Sequence, residues 1–236
     1  RRRRDRRRQP RCRAGAIKFS DLVHFLTTIG RDTGIQSDVS APAGVGFSWK
    51  WSTATMHGKA IQPQTRFPDE LCPGTVLLRG QYVIESNLVR GGFGITYLAR
   101  DSLDRVVVIK ECFPGSICAR IDGKVRAQSR RVEKQFTSVL RHFIREARRV
   151  SKLNHPQIVG VHQVFEENGT AYMALDYVEG SDLLSVLETD PDRLHPEAVM
   201  TMLRRILDAV SYIHKAGILH RDISPDNILL GDQGGL

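Results

Sequence analysis

The sequence predicts an α+β protein in two lobes: a β-rich first lobe holding one main helix, then an incomplete helical second lobe. Three observations predict it. Between Thr75 and Val178, short runs rich in Val, Ile, Leu and Tyr alternate with Gly, Asn and Asp turn signals, the pattern of strands and hairpins. Within them Phe136, Val139, Leu140, Phe143, Ala147 and Val150 recur at helical spacing. Beyond Gly180 the periodicity is helical alone. The expected division is an Arg-rich, poorly structured extension over 1–74, a first lobe over 75–178 and a partial second lobe over 179–236.

Taken in order, the extension offers one short helix at SDLVHFLTTIG (20–30), started by Ser20 and ended by Gly30. From Asp32 to Pro73 the chain is rich in Gly, Ser, Thr and Pro and reads as linker. Trp49 and Trp51 share one side if that piece is extended. TVLL and YVIESNLV are strands, interrupted at RGGFG. ITYLARD and RVVVIKE are two more, joined through LDR (103–105). ECFPGSICARIDGKVRAQSRR is taken as an irregular insertion before the main helix. IVGVHQVFEE and TAYMALDYV are strands about an Asn168-Gly169 turn. SDLLSVLE then begins a helix with Ser181 as its cap. Pro196 opens another, with an apolar stripe of Val199, Leu203, Ile206, Val210 and Ile213, and Gly217 stops it.

Composition narrows the function. The chain has 236 residues, 41% hydrophobic and 26% charged, enough for a buried core. Its net charge of +9 is local: Arg1–Arg13 carry nine arginines and one aspartate, leaving +1 for the rest. The basic signal therefore belongs to a solvated tail, and nucleic acid is not the expected partner. Cysteines at 12, 72, 112 and 118 form no C-x-x-C pair, so no zinc site is expected and a reducing, cytoplasmic setting is. No apolar run approaches about 18 residues, so no membrane span is expected, and the Arg-rich start lacks the apolar stretch of a secretory signal.

The chemistry-bearing residues fall in four places. Gly91, Gly92 and Gly94, with Phe93 between them, either let backbone N–H groups approach a phosphate or form an ordinary hairpin. Lys110 closes an apolar strand, so its ammonium reaches either solvent or a fixed anion. Glu146 shares the apolar face of the main helix and needs a cation, with Lys110 and Arg149 both suitable. HRDISPDN supplies His220, Arg221, Asp222 and Asn227 in one short turn.

HRDISPDN matches the H-R-D-x-x-x-x-N pattern at every defined position, and in that light residues 75–236 resemble the N-terminal portion of a eukaryotic-like serine/threonine protein kinase domain. LVRGGFGITYLA resembles its phosphate-covering loop, with Val89 where the first glycine belongs, Gly91 and Gly94 as the second and third, and Thr96 where the valine belongs. The resemblance implies a Lys110–Glu146 pair, Leu175 behind an adenine pocket, and purine contacts from the backbone of Asp176 to Val178. It implies that Asp222 takes the proton of a protein hydroxyl and that Asn227 holds Mg2+, with ATP as phosphoryl donor. Ser224 stands where such enzymes have lysine. The family's D-F-G aspartate should follow one hairpin after Asn227, and the sequence stops at Leu236 inside the turn of that hairpin. A fragment of a protein kinase is therefore the expected reading. The alternative is a non-catalytic nucleotide-binding pseudokinase.

Overall fold

A computed structural model describes residues 16–17 and 68–231. The expectations for the Arg-rich run, the 20–30 helix and the two tryptophans lie outside them. Ala16–Ile17 forms a two-residue strand, β1. Six antiparallel strands build the first lobe: β2 (Val76–Leu77), β3 (Tyr82–Arg90), β4 (Gly94–Asp101), β5 (Val106–Cys112), and then β8 (Val161–Glu167) and β9 (Thr170–Asp176). Their order is β2-β3-β4-β5-β9-β8, which puts β5 at the centre. There Lys110 lies opposite Thr96 of β4 and Met173 of β9.

The stretch expected to be irregular is instead a hairpin, β6 (Cys118–Ile121) and β7 (Lys124–Ala127). Its turn is Asp122-Gly123, both at positive φ (51° and 74°), the conformation that a tight two-residue hairpin demands. Helix α1 (Glu133–Val150) follows and buries Phe136, Val139, Phe143, Ile144 and Ala147 against the sheet, with Val150 buried at its end. That row is the one the periodicity predicts, with Leu140 only partly buried and Ile144 added.

The second lobe begins with β10 (Gly180–Asp182), which pairs with β11 (Ile228–Gly231); β1 lies on β11's other edge. Helices α2 (Leu183–Thr189) and α3 (Pro196–Lys215) pack through Leu183, Ile206, Ala209 and Ile213 onto Ile158 and Ile228. Two details differ from expectation. Ser181 is paired with Leu230 in the ladder, so the cap is Asp182, whose Oδ1 accepts from the Ser185 N–H at 2.8 Å. On α3 the buried row is Ala198, Ile206, Ala209 and Ile213, and Leu203 faces solvent at 43% exposure. Gly217 ends α3 at φ 70°, with the Ile218 N–H returning to the Ile213 carbonyl at 2.9 Å.

Candidate active site

The β3–β4 turn carries the glycines. Gly91 N–H donates to the Gly94 carbonyl at 2.9 Å and closes a tight reversal, leaving Gly91 and Gly92 exposed at its tip. Phe93's carbonyl accepts from Phe113 N–H at 3.0 Å, which ties the turn to the end of β5. Gly94 permits no side chain: a Cβ there would sit 2.7 Å from the Glu111 carbonyl oxygen. The same Cβ would lie 3.8 Å from Lys110 Cε, so the lysine stem passes directly by the glycine turn. Val89, paired with Thr96, is half-buried on the strand leading in.

Lys110 is 7% exposed. The expected Lys110–Glu146 pair is not formed. Glu146's carboxylate meets Arg149 on the same helix at 3.0 Å, an i,i+3 contact whose carboxylate is 19% exposed. A local pair costs no rearrangement of the helix, whereas reaching Lys110 requires α1 to bring Glu146 to β5.

The residue after Lys110 is one that sequence reasoning missed. Glu111 is fully buried, and its two oxygens accept from Tyr97 Oη (2.7 Å), Tyr172 Oη (2.8 Å) and Arg120 Nη2 (2.7 Å to each). Arg120 comes from β6, and its Nε donates to the Asp69 carbonyl at 2.7 Å. Burial alone would lower Arg120's pKa, but the Glu111 carboxylate outweighs it and the guanidinium stays charged. Burial, reinforced by Glu111, pushes both tyrosine hydroxyls up, so they remain protonated donors.

Asp176 ends β9. Its N–H donates to the Gly160 carbonyl at 2.9 Å, and its side chain accepts from Gly160 N–H (3.0 Å) and holds His162 (2.7 Å). Its amide and side chain therefore both tie the end of β9 to Gly160 and His162. Leu175 and Val178 pack with Val159 and Leu229, the last on β11 two residues past Asn227. This apolar patch lies beside the HRDISPDN turn, and Leu229 was not anticipated.

In that turn Asn227 is fully buried and its Nδ2 donates to Asp222 Oδ2 at 2.8 Å and to Ser224 Oγ at 2.9 Å. The contact fixes the carboxylate of Asp222, which is half-buried. Arg221 sits at φ 65°, a left-handed conformation that a non-glycine residue adopts at a cost of order 1 kcal/mol, as in many functional turns. His220 is buried at 9% exposure. Asn227 also carries an amide oxygen, a hard oxygen ligand of the kind that Mg2+ takes. Among the described residues no cluster of three or more His, Cys, Asp or Glu side chains is placed for a metal. No described helix is long and apolar enough to cross a membrane.

The protein kinase domain model matches residues 82–236. The chain belongs to the protein kinase family. It is 34% identical over 160 residues to the serine/threonine-protein kinase PrkC of Bacillus subtilis, covering 67% of this chain and 22% of that protein. It is 31% identical over 176 residues to PknL of Mycobacterium bovis, covering 74% of this chain and 38% of that protein. Among solved structures, the apo form of PpkA-294 superposes with a TM-score of 0.65 at 34% identity, over 70% of this chain and 58% of that one. The chain thus spans well under half the length of these two curated relatives.

Proposed function

We propose that this chain is the nucleotide-handling and catalytic-loop portion of a serine/threonine protein kinase that transfers the γ-phosphoryl group of ATP to protein hydroxyls. The observation that carries it is the Asn227–Asp222 hydrogen bond of 2.8 Å, which orients one carboxylate inside a family-typical turn. In this reading the glycine turn at Gly91, Gly92, Phe93 and Gly94, with Val89 before it, covers the phosphates. The Lys110 ammonium neutralises them. The Asp176 carbonyl and the backbone of Val178 meet the purine edge, Leu175 lies behind the ring, and Leu229 underlies it. Asp222 takes the proton from the acceptor hydroxyl and aligns it. Asn227 would contribute its amide oxygen to a Mg2+ ion, which when bound neutralises charge on the transferring phosphoryl group. Relatives named as serine/threonine-protein kinases support the acceptor class.

A second reading, nucleotide binding without transfer, draws on Glu146 lying with Arg149 instead of Lys110. Radiolabelled ATP with the full-length protein separates the two. Transfer is expected in the wild type and should fall about 100-fold or more in Asp222→Asn, the range of a lost general base. ATP binding without transfer in the wild type would establish the second reading.

A further inference from the structure

We propose that the outer face of α1 is a docking site for an extended acidic polypeptide segment. Lys134, Arg141, Arg145 and Arg148 are all exposed, and Lys152 continues them just past the helix end. At 100° per residue they fall within about 40° of a single line, and at 1.5 Å rise they span about 27 Å. The two acids of α1, Glu133 and Glu146, lie about 100° or more away from that line. None of the five cations has an ion-pair partner among the described residues. The opposite face of the helix is buried in the sheet, so this row is what α1 presents to the surroundings.

The chemistry of the face selects the occupant. From Arg141 to Lys152 the cations step by roughly 4.5–6 Å, close to the roughly 6.6 Å at which side chains recur on one face of an extended chain. Carboxylates or phosphates on alternate residues of such a segment would each meet one cation. Ser138, on the row between Lys134 and Arg141, is exposed and polar, and no apolar residue interrupts the row as a wedge for a lipid surface. The aromatic residues of α1, Phe136 and Phe143, are buried, so none stacks a nucleic-acid base.

Docking on this face also reaches the site. Arg149 lies about 60° from the cation row and holds Glu146 at 3.0 Å. An anionic segment on the row offers Arg149 a second carboxylate and so competes with Glu146 for it. This last step rests on the kinase reading; the docking does not.

The test uses the full-length protein and a fluorescent peptide of about ten alternating Glu and Ser residues, read by anisotropy. Binding is expected to weaken as salt rises from about 50 to about 200 mM. It should weaken at least about tenfold in the triple variant Arg141→Glu, Arg145→Glu, Arg148→Glu, with an unchanged melting temperature because all three are exposed. No binding, or equal binding by the triple variant, overturns the proposal. Tighter binding of a single-stranded oligonucleotide of equal charge overturns it in favour of nucleic acid. In a transfer assay, the peptide should raise the rate of the wild type but not of Arg149→Ala. Binding without a change in rate overturns the link to Glu146. A wild type inactive throughout counts against the kinase reading alone, since anisotropy reads docking independently.

Discussion

Glu111 and Glu146 are both carboxylates pressed toward the same first-lobe core, and the protein treats them in opposite ways. Glu111 has no solvent exposure and three side-chain donors, from three different strands. Glu146 is partly exposed and held by one mobile-length arginine from its own helix. The first arrangement has no alternative of similar energy, because any displacement strands a buried charge. The second is a surface pair of small net worth, so little free energy is lost when Glu146 lets go of Arg149. Charges that hold a kinase-like lobe together are satisfied on all sides; the charge expected to act is satisfied loosely. Lys110, one residue from Glu111, connects the two.

The largest effect should come from breaking the tight member. Arg120→Ala leaves Glu111 buried with its cation removed and is expected to cost about 3–5 kcal/mol, which should lower the thermal midpoint by about 10 °C or more. Glu146→Gln is the counterpart and should change stability by less than about 0.5 kcal/mol while reducing phosphate transfer. Equal melting of the two variants would erase the distinction.

Next in size is Gly94→Ala, which drives a methyl to 2.7 Å from the Glu111 carbonyl oxygen. About 1–3 kcal/mol of strain is expected, with a raised KM for ATP because the turn beside Lys110 must shift. A wild-type KM would show that the glycine turn does not depend on that close approach. Smallest is a chemical contrast along the same strand and hairpin. Burial pushes the Cys112 and Cys118 thiols up to about 12, so both stay protonated at pH 8, and a thiolate-selective disulfide reagent should modify neither in the native protein. Rapid modification of either would mean that the β5–β6 junction opens readily.

Much of this was legible in the sequence, and the residues show why. The HRDISPDN turn and the glycine turn were readable because both match a family pattern that fixes residue type and spacing over a few positions. The strands and α1 were readable because burial on one face imposes a period. The β6–β7 hairpin was missed because CARI and KVRA mix small and basic residues without clear alternation; the Asp122-Gly123 pair was its one signal. The cap of α2 was misplaced by one residue because Ser181 and Asp182 both suit it, and only the ladder to Leu230 decides. Leu203 was assigned to the buried side of α3, where small Ala198 and Ala209 let the helix pack closely instead. Neither the Glu111–Arg120 pair nor the Glu146–Arg149 pair was fixed by spacing, since each acid had several cations within reach in the sequence.

The adjacency of Lys110 and Glu111 on a central strand has a consequence for how this lobe tolerates insertions and deletions. A strand has period two, so adding or removing one residue upstream within β5 would send the ammonium into the two-tyrosine pocket and the carboxylate beneath the glycine turn. Both neighbours of the strand are paired along its length, leaving no free edge on which to absorb the slip. Length variation in this family member should therefore accumulate in the exposed 102–105 turn and be excluded from the seven residues that follow it.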